Sequence, residues 1–360
     1  MHRTYAPMAD GRELYYYDAA PRPSTPPADE RDIQAVQTIG SVRYDALFDE
    51  WVAIAGHRQT RTFLPTGGAS GCPLCPSTPE HATEIPAASY EVAVFENRFP
   101  SFSAPPAGWT MPEAAIGVSA PSGGRCEVVC FSDEHDSSFA ELGAERARLV
   151  IDAWADRTAE LSRLDYVALV FPFENSGAEI GVTISHPHGQ IYAYPFIPPR
   201  AAAVLRASRQ HQERTGRHLI ADIIEFELAD GARIVAETTS WIAFVPYAAR
   251  WPFQVQLHPR RHVSDLSELS DRERDELAAL YLDVLHKLNA VYGVKMPYIA
   301  AWNQAPVGDL RPFGRLHLDL FSARRAPDKL KYLAGSEAAM GAFINDVTPE
   351  QAAAMMRGDA

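Results

Sequence analysis

Two stretches of this chain, 130–142 (CFSDEHDSSFAEL) and 257–269 (LHPRRHVSDLSEL), align without a gap and set His135 opposite His262. This weak internal repeat points to two similarly built halves. Around the first copy the residue pattern predicts strands at 90–95 and 126–131, a helix near 144–164 and a strand at 166–171. Around the second it predicts strands at 241–245 and 253–257, a helix near 271–288, and strands at 298–302 and 316–321. Ser270-x-x-Glu273 forms a capping box at the start of that second helix. Leu277, Leu280, Tyr281, Val284, Leu285 and Leu288 then recur every three or four residues, so one helix face can cover a sheet.

The ends of the chain read differently. Residues 1–40 are expected to be an irregular arm, because Pro, Ala and Asp crowd it, above all at 19–27. Residues 41–200 and 201–347 make the two halves, and 348–360 a C-terminal tail. With 46% hydrophobic residues, a chain of 360 can bury one large core or two fused ones, and no apolar run is long enough to span a bilayer. Residues 1–17 lack the apolar stretch of a signal peptide, which makes the cytoplasm the expected location. A formal net charge of -13 argues against binding nucleic acid through its backbone.

Chemistry concentrates in His186-Pro187-His188-Gly189-Gln190. Alternate residues of a strand share a face, so His186 and His188 are neighbours, one suited to anchor and the other to attack phosphorus. Such a nucleophile must present one unprotonated ring nitrogen while an acceptor, a nearby backbone carbonyl, holds the other. Gln190 adds a neutral amide donor where a carboxylate would repel phosphate. A glycine-punctuated loop, 175–181, precedes the pentad.

The second cluster is Cys72-Pro73-Leu74-Cys75, set among Gly, Pro, Ser and Thr. Turn residues on both sides disfavour a redox motif, which should open a helix after a strand. Zinc fits better. His135 and His186 flank apolar strands and can complete a tetrahedral Cys2His2 site. Cys126 and Cys130 read as buried strand cysteines acting as small hydrophobes.

The pentad, Phe173-Glu174-Asn175, the CPLC knuckle, Glu96-Asn97-Arg98-Phe99-Pro100 and the pair Arg58 and Arg61 resemble the galactose-1-phosphate uridylyltransferase family of the histidine-triad superfamily. The likeness runs from about residue 42 to 345, in the family's order. It implies an α+β fold of two histidine-triad-like halves, whose antiparallel sheets join into an open half-barrel with helices packed on one side. It also implies that His188 takes UMP from UDP-glucose, releases glucose 1-phosphate, and passes the UMP to galactose 1-phosphate to give UDP-galactose. Arg58 and Arg61 would meet phosphate, as would Gly181 and Thr183. Asn97, Phe99, Phe173 and Asn175 would hold the nucleoside.

The resemblance further implies a homodimer in which Lys331 and Glu337 help seat the sugar phosphate. Phe343 stands near a position where the family often has a sugar-contacting glutamine, which leaves the hexose open. In the second half His317-Leu318-Asp319 corresponds to the pentad, with Asp319 expected at the nucleophile's place. One zinc per chain is expected and no second metal, since Asn303, Asp319 and Val204 or Leu205 stand where other members carry ligands, and only His317 remains. Two alternatives keep the same residues: a phosphorylase that passes the nucleotidyl group to inorganic phosphate, and a noncatalytic zinc-stabilised nucleotide-binding module.

Overall fold

The computed structural model of the protein describes residues 1–35, 40–60 and 69–359. In chain order, a hairpin of β1 (His2–Pro7) and β2 (Glu13–Asp18) comes first. Next come β3 (Ser41–Asp45), β4 (Glu50–Ile54), β5 (Val92–Glu96), β6 (Ser119–Pro121) and β7 (Arg125–Cys130). Helix α1 (Ala144–Leu161) leads to β8 (Leu169–Ser176) and β9 (His188–Tyr194). The second half begins with α2 (Pro199–Thr215) and α3 (Leu219–Asp230), and continues through β10 (Ile234–Glu237), β11 (Trp241–Phe244) and β12 (Phe253–Pro259). It ends with α4 (Asp271–Ala290), β13 (Tyr298–Asn303), β14 (His317–Ser322), β15 (Arg324–Ala326), β16 (Lys329–Leu330), α5 (Gly335–Met340) and α6 (Pro349–Arg357).

Eleven of these strands form one open antiparallel sheet in the order β1-β2-β5-β7-β9-β8-β13-β14-β12-β11-β10. The halves meet where β8 pairs with β13, Glu174 lying opposite Ala300. Helices α1 and α4 lie on one face of the sheet, and their buried residues share one apolar core with inward residues of β7, β9, β12 and β14. Trp154, Trp241, Trp302, Tyr17, Tyr281, Phe131 and Phe139 are among its largest fully buried side chains. Burying a large apolar side chain contributes about 1.5–3 kcal/mol, so this layer holds the halves together.

The repeat is visible in space. The 3-10 turns Phe139–Glu141 and Leu266–Glu268 precede helices that begin at Ala144 and Asp271, the positions the alignment sets opposite each other. Ser270 and Glu273 complete the expected capping box.

Both chain ends depart from expectation. The stretch read as an irregular arm opens with β1 and β2, and β2 joins the main sheet through β5. Tyr15 and Tyr17 enter the helix-side core while Leu14 and Tyr16 pack on the opposite face. A strand buried on both faces shows no polar alternation, which hides it in the sequence. The expected tail contains α6, whose Ala352, Ala353 and Met356 are buried in the same core.

Candidate active site

Strand β9 carries the last three residues of the pentad. Gly189, Ile191 and Ala193 are buried, whereas His188, Gln190, Tyr192 and Tyr194 stay partly open on the other face. Strand geometry therefore lines up imidazole, amide and phenol in one row. Nothing larger than glycine fits at 189, because a Cβ there would lie 2.8 Å from Phe131 Cζ and 2.9 Å from the Phe173 carbonyl oxygen.

His188 is oriented through Nδ1, which lies 2.8 Å from the His186 carbonyl oxygen. A carbonyl only accepts, so the proton is assigned to Nδ1 and the lone pair to Nε2. That is the state a histidine nucleophile requires.

The row faces a cavity of about 240 Å³, which Arg58, Phe173, Asn175, Gly181 and Thr183 also line. A wider cleft of about 760 Å³ shares His188, Asn175 and Thr183 with it and runs toward His186, His135 and Cys72. Volumes of this order hold small-molecule substrates. Arg58 enters from the turn Gly56–Thr60 and donates to the Ser101 hydroxyl and, at 3.4 Å, to the Tyr192 phenol. Among the described residues both partners are neutral hydroxyls, and a guanidinium so placed suits an anion. Gly181 closes the preceding turn with a φ of 85°, a left-handed conformation that favours glycine.

Cys72, Cys75, His135 and His186 each bring one donor atom to within 4.8 Å of the others, the only such group among the described residues. Cys75 Sγ lies 3.4 Å from His135 Nδ1 and 3.6 Å from His186 Nδ1. Ligands of a tetrahedral ion with bonds of about 2.0–2.3 Å stand at such separations. His186 Nε2 is 2.8 Å from both the Ser132 carbonyl oxygen and the Tyr90 hydroxyl, so its proton points outward and its Nδ1 lone pair toward the thiols. The Tyr90 hydroxyl donates in turn to the Leu74 carbonyl inside the knuckle at 2.8 Å.

Burial pushes the His186 ring down to about 4, which keeps it in the neutral, ligating form. Burial and the neighbouring Cys72 push the Cys75 thiol up to about 12. Two sulfurs and two imidazole nitrogens meeting at one point fit a metal of zinc's preferences.

Other expected residues are placed elsewhere. Asn97 spends its side-chain oxygen on the Phe99 amide at 2.9 Å, and neither residue lines the two cavities. Lys331 and Glu337 form a buried ion pair at 2.9 Å, also outside both. Arg61 lies outside the described residues. Tyr192 and Ser101 were not anticipated. The i, i+2, i+4 spacing from His188 marks Tyr192, whereas nothing in the sequence marks Ser101.

In the second half, His317 repeats the arrangement of His188. Each opens its strand, and His317 Nδ1 lies 3.0 Å from the carbonyl oxygen two residues earlier, that of Arg315. Asp319, expected at the nucleophile's place, instead lies two residues further along β14 and accepts from Gln254 at 2.8 Å. The His317 ring is closed off by stacking on His258 at 5.0 Å, and His258 stacks on Phe244 at 5.1 Å. Burial depresses both imidazoles, so this half offers a packed neutral pair rather than an open site.

Comparison with known proteins agrees with this geometry. The family model for the galactose-1-phosphate uridyl transferase N-terminal domain matches residues 29–198, and that for the C-terminal domain matches 205–359. The galactose-1-phosphate uridylyltransferase of Streptomyces lividans is 44% identical over 368 residues, covering 99% of this chain and 98% of the relative. That of Thermotoga maritima is 36% identical over 320 residues, covering 88% and 97%. A solved uridylyltransferase structure superposes with a TM-score of 0.77 at 32% identity, covering 89% of this chain and 98% of its own. An ADP-glucose phosphorylase from Arabidopsis thaliana, 22% identical with a TM-score of 0.68 over 88% of this chain and 97% of its own, shares the fold. With both halves matched and a relative this similar along its length, the chain belongs to the galactose-1-phosphate uridylyltransferase family.

Proposed function

We propose that this protein transfers UMP from UDP-glucose to galactose 1-phosphate by a ping-pong route with His188 as nucleophile. The observation that carries the reading is the His188 Nδ1 contact to the His186 carbonyl, made at the edge of a cavity that also holds Gln190 and Arg58. Nε2 attacks the α-phosphorus of UDP-glucose. A P–N bond forms, the bond to the bridging oxygen breaks, and glucose 1-phosphate leaves with that oxygen and its electron pair. Galactose 1-phosphate then attacks the same phosphorus through a phosphate oxygen, and the P–N electron pair returns to Nε2. While the ring carries UMP it gains positive charge, which the carbonyl on Nδ1 stabilises.

Gln190 donates to a phosphoryl oxygen without adding negative charge, and Arg58 binds the diphosphate. Gly181 and Thr183 border the phosphate, Phe173 and Asn175 approach the nucleoside, and Asn97 and Phe99 support it from the loop after β5. Arg61 is proposed to join Arg58. Lys331 and Glu337 are proposed to act across a homodimer boundary on the sugar phosphate. Zinc held by Cys72, Cys75, His135 and His186 would supply no chemistry to the substrate, only a fixed position for the His186 ring. The protein is proposed to work in the cytoplasm without nucleic acid.

The test is label exchange. The protein should move label between UDP-glucose and glucose 1-phosphate with no galactose 1-phosphate present, because the first half-reaction is complete by itself. Absence of exchange in protein that turns over both substrates would contradict a covalent route. Turnover with inorganic phosphate alone would favour a phosphorylase.

A further inference from the structure

The seam between the halves holds a carboxyl group that the transfer chemistry does not use. Glu174 sits on β8 between Phe173 and Asn175, opposite Ala300 of β13 on one side and Gly189 of β9 on the other. Phe173 and Asn175 line the smaller cavity and Glu174 does not, so alternation sends the Glu174 side chain to the helix face, where it is buried at the inner edge of the wider cleft. Its Oε1 accepts from the Tyr298 hydroxyl at 2.9 Å, and its Oε2 lies 3.4 Å from the Tyr281 hydroxyl of α4. Beyond Tyr281 the contact continues to Phe139 at 4.7 Å and from Phe139 to Phe131 at 5.2 Å. Phe131 is the ring that fills the space a side chain at Gly189 would need.

We propose that Glu174 is a positioning residue of the transfer reaction: an uncharged carboxylic acid that ties α4 and β13 to the strand pair carrying His188, and whose ionisation sets an alkaline limit on turnover. The groups facing it are the phenols of Tyr281 from α4 and Tyr298 from β13, while β9 presents Gly189. Among the described residues no cation acts on it. A buried carboxylate lacking a cation is strongly disfavoured, whereas the protonated acid can both accept from one phenol and donate to the other. Burial accordingly pushes the carboxyl up to about 8, against the opposing hydrogen bonds from Tyr298 and Tyr281.

The folded chain holds this proton more tightly than the unfolded chain, so its contribution to stability is full below about pH 4.5. It is lost as pH rises toward 8 and constant above that. Ionisation then leaves an anion between two phenols at the seam, and the displaced β8 carries Phe173 and Asn175 with it.

Glu174→Gln mimics the neutral acid and cannot ionise; Glu174→Ala removes the tie. We expect the kcat of the unaltered protein to fall on the alkaline side with an apparent pKa near 8, and Glu174→Gln to lack this limb while keeping kcat within about threefold. Glu174→Ala should lose about tenfold or more in kcat with little change in KM for UDP-glucose. In thermal melts, the stability of Glu174→Gln relative to the unaltered protein should rise steadily between about pH 5 and 8 and then level off. The kcat arm rests on the proposed transfer reaction, and the melts do not, so failure of either is distinguishable. An unchanged alkaline limb in Glu174→Gln overturns the proposal, as does a pH-independent stability difference. If Glu174→Ala does not fold, the Gln variant still decides both.

Discussion

His186 serves His188 and the Cys2His2 group at once: its carbonyl oxygen lies 2.8 Å from His188 Nδ1, and its ring Nδ1 lies 3.6 Å from Cys75 Sγ. Backbone and ring move together, so loss of the group should disturb the orientation of His188 as well as the fold.

Metal analysis should find about one zinc per chain and no second tightly held metal. Cys72→Ser should lose the zinc together with thermal stability, and any folded fraction should show lower kcat, since the His186 ring is no longer pinned. Full stability and activity in zinc-free protein would contradict the coupling. A metal bound near His317 and Asp319 would contradict the single-site assignment.

Gln190 and Arg58 should separate in their kinetics. Gln190→Ala should mainly lower kcat, by roughly tenfold to a thousandfold, because its amide serves charge that builds during phosphoryl transfer. Arg58→Ala should mainly raise KM for UDP-glucose, because the diphosphate charge is present from the start. Equal effects confined to KM in both variants would remove the distinction.

The α4 terminus gives a pH test of stability. Arg261 holds the Glu273 carboxylate down to about 2, with Ser270 adding hydrogen bonds, against a modest cost of burial. A carboxyl depressed in the folded state contributes fully above about pH 4.5, and that contribution is lost as pH falls toward 2. Arg261 is half-exposed, so solvent weakens the pair. Glu273→Gln should therefore cost about 1–2 kcal/mol at neutral pH, with the gap closing in acid. A gap independent of pH in denaturant titrations would sink the assignment.

What the sequence revealed tracks how far each signal depends on distant partners. The Cys2His2 group that could hold a metal and the pentad were legible because thiol, imidazole and their spacing are chemically specific, and β9 shows its alternation openly. The start of α4 was legible because its capping box is local. Tyr90 and Ser132, which hold the outer nitrogen of His186, carry no local mark, since their role exists only once β7 and the knuckle meet. The same holds for Glu174, whose phenol partners lie more than a hundred residues away in sequence. At the C-terminus the sequence does carry a local helix signal: Pro349 follows Thr348, and Thr348-x-x-Gln351 is itself a capping box.

The most direct test of His188 as nucleophile is to mix the protein with UDP-glucose alone, quench in base, and weigh the intact chain by mass spectrometry. One uridylyl group should be attached per chain, labile to acid as a phosphorus–nitrogen bond is, located at His188 and absent in His188→Ala. An unmodified chain during active turnover, or an adduct that persists in His188→Ala, would contradict the assignment.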